Sequence, residues 1–306
     1  MSLKIVFMGT PEFSIPTLEM LLKKKINILK IYTQSPKKSK RGQKVNISPV
    51  QEFSEKNKLN FRIPEKLNTD DEFNIFKDLS PDLVVVVAYG KLIPKKFLSI
   101  PKLGFINIHA SLLPKWRGAA PIQRAMINGD EKTGVSIMKI EEKLDSGPVL
   151  SSEELNLNKS DTFGDVYKKL SVMGAELLSR NLENIESYNT NIIKQDESKA
   201  TYAKKINKNE TQIKWNLSAD KVMAHIHGLS PNPGAWFSYE NERYKVLKVK
   251  KLSMNGNSGQ ILDENLIIGC KTESIQILEI QREGKKKQNI KNFLLGQKIK
   301  KDTVII

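Results

Sequence analysis

One cysteine and three histidines in 306 residues leave little material for disulfide or metal chemistry. The lone thiol, Cys270, excludes an internal disulfide framework and fits a reducing compartment. It lies in the apolar stretch Leu266-Ile-Ile-Gly-Cys270, which reads as packing rather than as the setting of a nucleophile. His109, His225 and His227 have no zinc-ligand spacing, so no metal is expected, and the latter two read as structural or exposed. Long apolar runs are missing as well. The longest, residues 83–88, is far too short to cross a bilayer. Near the amino terminus only Ile5-Val-Phe-Met8 is apolar, short of a signal peptide's core, and a cytoplasmic protein with no membrane partner is expected. Gly9-Thr-Pro-Glu12 follows the first strand without the Gly-x-Gly-x-x-Gly pattern, which disfavours dinucleotide binding and reads as a tight turn.

Acidic residues are fewer than basic ones, 34 against 50, for a net charge of +16. Such an excess suits a polyanionic partner, because Lys and Arg displace counterions from phosphates. It is spread along the chain, +9 over residues 1–206 and +7 over 207–306, so local clustering says more than the total. Ser35-Pro-Lys-Lys-Ser-Lys-Arg-Gly-Gln-Lys44 holds five positive residues and no negative one. It interrupts a strand-to-helix connection that normally needs about 2–6 residues. Lys285-Lys-Lys287 is a second basic run, equally readable as a solvated turn.

The first half alternates strand and helix. Residues 4–8, 28–33, 82–88, 104–109 and 135–140 read as strands. Residues 16–24, 70–79, 121–128 and 162–183 read as helices, and Ser48-Pro-Val-Gln51 as a helix start with Ser as cap. The β-branched run at 83–87 marks a strand covered on both faces. The alternation predicts an α/β fold, an open, mostly parallel sheet flanked by helices, with ligands at the carboxyl ends of its strands. A polar, Asn- and Lys-rich segment follows, then a short helix near 219–227 and strand-like pieces at 235–239, 244–250, 259–262, 266–270 and 274–280. These predict a smaller β-barrel of oligonucleotide-binding (OB-like) type. The expected domains are 1–188 and 209–306, with 189–208 as linker.

Asn107 and His109 sit two residues apart at the end of a predicted strand, so their side chains share a face. Asp145 follows on the loop Leu144-Asp-Ser-Gly147, from which it can close on them. Amide, imidazole and carboxylate suit group transfer through a tetrahedral intermediate: the amide steadies an oxyanion, the imidazole moves a proton, and the carboxylate holds the imidazole.

Met8-Gly-Thr-Pro-Glu-Phe13, Arg41-Gly-Gln-Lys44, Asn107-Ile-His109, Ser111-Leu-Leu-Pro114, Trp116-Arg-Gly118 and Leu144-Asp-Ser-Gly147 together resemble the methionyl-tRNA formyltransferase family. The resemblance runs essentially end to end, including Trp215-Asn216 and Asn232-Pro233. It implies a Rossmann-like formyltransferase domain and transfer of formyl from 10-formyltetrahydrofolate to the amine of initiator Met-tRNA. It also implies Asn107, His109 and Asp145 as catalytic residues. Ser111, Leu112, Leu113 and Pro114 would line the folate pocket. Lys40, Arg41 and Lys44 would grip the acceptor stem, Arg41 foremost because its planar fork suits phosphate and base edges. A monomer is expected. Asn-x-His with Ser-Leu-Leu-Pro fixes the chemistry more firmly than the acceptor, so a formyltransferase for a small amine, such as an amino nucleotide sugar, remains the alternative. Ile140-Glu-Glu-Lys-Leu144, before the expected catalytic Asp, is more charged than the family pattern leads one to expect.

Overall fold

The β-branched run Leu83–Val87 is buried at every position. A strand apolar on both faces must be covered on both, which places it inside a sheet between two helical layers. In the computed structural model, which describes residues 3–38, 45–183, 185, 192–297 and 299–305, that is its place. The strands are β1 (Lys4–Gly9), β2 (Asn27–Tyr32), β3 (Phe61–Arg62), β4 (Leu83–Val87), β5 (Phe105–His109), β6 (Lys132–Lys139) and β7 (Val149–Asn156). Their order in the sheet is β7-β6-β5-β4-β1-β2-β3. Pairing is parallel from β3 to β5 and antiparallel between β5 and β6. The expected open, mostly parallel sheet is therefore present.

Helices α1 (Ile15–Lys23), α2 (Pro49–Lys56), α3 (Asp70–Leu79), α4 (Lys95–Leu98) and α5 (Pro121–Asn128) lie between these strands in the chain, and α6 (Phe163–Leu182) follows the last. Helix α2 begins as its sequence predicts: Ser48 Oγ accepts the Gln51 N–H at 3.0 Å, with Pro49 in the first turn. Phe76, Phe97 and Phe105 join Val6, Met8, Val84 and Val86 in one apolar cluster on one face of the sheet.

Contacts within the chain divide the described residues into two units, one taking in residues of 1–117, 134–155 and 168–202, the other those of 118–133, 156–167 and 203–306. In the second unit, α7 (Ala219–Leu229) precedes strands β8 (Ala235–Tyr239), β9 (Glu242–Leu252), β10 (Ile267–Gly269), β11 (Ser274–Arg282) and β12 (Gln288–Asn289). They form a curled antiparallel sheet of order β8-β9-β11-β10, with β12 on β11, around a core containing Trp215, Ile226, Phe237, Tyr244 and Ile277. Register shifts in β9 between Val246 and Val249 bend it, as bulges do.

Besides the short β3, α4 and β12, which the sequence reading does not contain, three pieces differ from it. Strand β7 escapes notice because its exposed face is Ser- and Glu-rich. Residues 259–262 form only isolated bridges, Gln260 to Val304 and Ile261 to Ile268, rather than a strand. Helix α8 (Ile290–Gly296), capped by Asn289, is short enough to be lost among polar neighbours. Among the described residues no helix is long and apolar enough to cross a membrane.

Candidate active site

Strand β5 divides its residues between two environments. Ile106 and Ile108 face one layer, where Ile108 meets α6 so closely that a Cβ at Gly174 would fall 2.7 Å from its Cγ2. The odd positions face the other layer. Phe105 stacks on Phe76 with centroids 6.0 Å apart. Two residues on, the same face turns polar at half-buried Asn107 and buried His109, at the strand's carboxyl end.

His109 is enclosed by acceptors. Its Nε2 lies 2.9 Å from the Trp116 carbonyl oxygen, and its Nδ1 lies 3.7 Å from Asp145 Oδ2. The imidazole is 6% exposed and the carboxylate 15%. Asp145 adopts a left-handed conformation, φ 48°, which Asp tolerates better than most residues. Its loop presses on the end of β6, because a Cβ at Gly147 would lie 2.0 Å from the Lys139 carbonyl oxygen. His109 and Asp145, far apart in number, thus meet at the carboxyl end of β5, on the strand face that carries Asn107.

The turn Ser111–Pro114 leaves β5 beside this cluster and is held by hydroxyl groups. Ser136 lies opposite His109 in the antiparallel register. Its buried Oγ accepts the Leu113 N–H at 3.1 Å, donates to the Ser111 carbonyl at 2.8 Å, and shares a hydrogen bond with Ser152 Oγ at 2.8 Å. Ser111 Oγ donates to the Lys115 carbonyl at 2.6 Å, closing the turn on itself. Leu112 packs over Gly134, where a Cβ would come 2.5 Å from its Cδ2. The Leu113–Pro114 peptide is cis.

The other strand ends converge on one atom. The Tyr89 carbonyl after β4 accepts from Thr10 Oγ1 at 2.8 Å and from Gln34 Nε2 at 2.6 Å, tying the loops after β1 and β2 to it. Gly9 permits this turn, since a Cβ there would collide with Phe7 and Ser14 at 2.8 Å.

Against known proteins, residues 3–182 match the formyl transferase family and residues 205–298 its C-terminal domain. A methionyl-tRNA formyltransferase of Pelagibacter ubique is 49% identical over 100% of this chain and 99% of its own. That of Bradyrhizobium diazoefficiens is 41% identical over 98% of each. The chain belongs to the methionyl-tRNA formyltransferase family. Solved structures of the fold include the N-formyltransferase of Helicobacter canadensis, in complex with folinic acid and dTDP-3-aminofucose (TM-score 0.69, 18% identity, covering 92% of this chain and 99% of that one). HypX from Aquifex aeolicus in complex with tetrahydrofolic acid matches with a TM-score of 0.68 and 15% identity over 99% of this chain; the chain spans about half of HypX.

Of the residues that family likeness points to, Lys40, Arg41 and Lys44 lie outside the described residues. The residues that flank them in sequence are described: Lys37–Lys38 pairs antiparallel with Val45–Asn46, and a buried 2.7 Å hydrogen bond joins Thr33 Oγ1 to Ser48 Oγ. In the second unit Arg282, Lys285 and Lys286 border a groove with Gln288 and Asn292. His227 is structural, with Nδ1 2.9 Å from the Lys159 carbonyl and Nε2 accepting the Val249 N–H at 3.2 Å.

Sequence reasoning passed over Ser136, Gln195 and Glu197. Ser136 is one hydroxyl in an apolar strand, and its register opposite His109 is its only signal. Gln195 and Glu197 lie in the polar segment read as a linker, where their composition resembles that of solvated neighbours.

Proposed function

We propose that this chain transfers the formyl group of 10-formyltetrahydrofolate to the α-amino group of methionine on initiator Met-tRNA, working as a monomer in the cytoplasm. The formylmethionyl-tRNA it yields serves translation initiation. The observation that carries the site assignment is His109 set between the Trp116 carbonyl and the Asp145 carboxylate, with Asn107 on the same strand face. Full-length likeness to methionyl-tRNA formyltransferases selects the acceptor.

In this reading the amine nitrogen attacks the formyl carbon, and the carbonyl oxygen becomes an oxyanion. The Asn107 amide donates to that oxygen, a contact that strengthens as charge develops. His109 accepts the amine's proton or holds positive charge beside the oxyanion, and a protonated ring can donate to both the Trp116 carbonyl and Asp145. The carbon–nitrogen bond to the folate then breaks, and the leaving nitrogen takes up a proton, delivered through His109 and Asp145 or a water between them. Main chain from Ser111 to Pro114 lines the folate pocket, shaped by Ser136. Arg41, with Lys40 and Lys44, grips the tRNA acceptor stem.

Formyl transfer to initiator Met-tRNA, elongator Met-tRNA and an amino nucleotide sugar tests the assignment. Turnover with the initiator is expected, and turnover with the sugar alone would overturn it. Asn107→Ala should lower kcat by about 10²–10³, the usual loss for one oxyanion donor, with little change in tRNA affinity. Arg41→Ala should instead weaken tRNA binding and flatten its salt dependence while folate binding stays near wild type. A shared defect profile would refute the division of labour.

A further inference from the structure

Arg117 is among the largest fully buried side chains of the protein, at 1% exposure, and its charge needs a reason. Replacing a buried ion pair by apolar residues of similar volume is often neutral or stabilising, so stability alone argues weakly for a guanidinium here. Its partners indicate another purpose. Nη2 and Nη1 donate to Glu197 Oε1 and Oε2 at 2.8 and 3.1 Å, a bidentate pair whose carboxylate reaches solvent. Nε donates to Gln195 Oε1 at 3.0 Å. The Gln195 amide then donates from Nε2 to two carbonyls, those of Asp145 at 2.9 Å and Gly147 at 2.6 Å.

The amide's orientation is thereby fixed. A guanidinium has no acceptor, so the Gln195 oxygen must face Arg117 and the nitrogen must face the loop. Both hydrogens of that nitrogen are used on carbonyls either side of Ser146. The backbone of Arg117 acts on the opposite side of the imidazole. Its N–H donates to the Thr201 carbonyl at 2.8 Å, and the Trp116 N–H donates to Thr201 Oγ1 at 2.9 Å. Trp116 is thus held at φ 63°, a conformation costly for a bulky residue, and its carbonyl reaches His109 Nε2.

We propose that Arg117, acting through Gln195, is a positioning residue that holds the Asp145 loop so that the Asp145 carboxylate faces Nδ1 of His109, opposite the Trp116 carbonyl on Nε2. The proposal rests on the assignment of His109 and Asp145 above. The substitution Gln195→Glu separates this role from mere packing: it keeps the shape and an acceptor for Arg117 but presents an oxygen, not a donor, to the Asp145 and Gly147 carbonyls.

The test is steady-state formyl transfer to Met-tRNA by the full-length wild type, Gln195→Glu, Asp145→Ala and the double variant, with Tm measured for each. The Gln195→Glu enzyme should lose no more than a few degrees of Tm, because residue 195 is only half-buried, and keep KM values for both substrates within about twofold. Its kcat should fall by about 10–100-fold, the scale of a catalytic group displaced by about an ångström. The double variant should be no slower than Asp145→Ala alone, because a positioning residue has nothing left to position. Wild-type kcat in Gln195→Glu, or losses that multiply in the double variant, would overturn the proposal while sparing the site assignment. An Asp145→Ala enzyme with undiminished kcat would bring down the site assignment and the proposal with it.

Discussion

A methyl group at position 147 would place its carbon 2.0 Å from the Lys139 carbonyl oxygen, well inside contact distance, and the obstacle is main chain that no rotamer can move aside. Gly147→Ala must therefore push the Asp145 loop off the end of β6. Overpacking of this kind typically costs about 1–3 kcal/mol. Chemical denaturation should show a loss of that size, and kcat of the remaining folded enzyme should fall because Asp145 travels with the loop. A Gly147→Ala protein with wild-type stability and turnover would contradict this packing. Cys270 has the opposite character. Burial pushes its thiol up to about 12, so almost no thiolate exists near neutrality. Native protein should resist a thiol reagent at pH 8 and react fully once unfolded; fast labelling of the native state would contradict the buried assignment.

Helix α2 depends on its first residue at the scale of an element. Ser48 Oγ caps the helix by accepting the Gln51 N–H and also bonds the buried Thr33 hydroxyl at 2.7 Å. Ser48→Ala removes a cap worth about 1 kcal/mol and strands the Thr33 hydroxyl, for a total near 2–3 kcal/mol. A loss of unfolding free energy below a third of that in urea titrations would show the cap to be dispensable. The same helix shows what sequence makes legible. Ser-Pro-x-Gln announces a helix start by local chemistry alone, and Leu83–Val87 announces a covered strand because every side chain is apolar. Asn107 and His109 share a face by strand periodicity, so their juxtaposition follows from spacing two residues apart. Asp145 is different: spacing gives no distance from β5, and only the likeness of Leu144-Asp-Ser-Gly147 to a family pattern connects them. Ser136 and Gln195 are less legible still. One owes its place to antiparallel register across from His109, the other to a segment whose polarity resembles a linker's, and neither tertiary relation leaves a local trace.

For the whole molecule, acid lability follows from the two histidines that the chemistry does not use. Burial lowers the pKa of both His225 and His227 from the ordinary imidazole value. At His227, Lys248 adds to the depression, while Asp165 and the Lys159 carbonyl oppose it. At His225, Lys214 depresses further, and Glu210, through its carbonyl and its charge, opposes. The neutral His227 ring also accepts the Val249 N–H, which a doubly protonated ring cannot do. A folded pKa below the unfolded one means the unfolded chain takes up protons first as pH falls. Stability from these groups is therefore complete above about 6.5 and declines below it, by at most about 1.4 kcal/mol per pH unit for each histidine. Glu210, held down to about 2 by Arg124, acts in a separate window: its contribution is present above the usual carboxylate range and drains away only as pH falls through that range toward 2. Partial exposure of that ion pair screens it and keeps the effect small. Urea midpoints between pH 7.5 and 5 should accordingly decline in the wild type. His227→Gln, which cannot take up a proton, should lower stability at pH 7.5 yet decline less steeply. Parallel slopes for the two proteins would show that His227 takes up its proton equally in the folded and unfolded chains, against the hydrogen bond its neutral ring accepts from Val249.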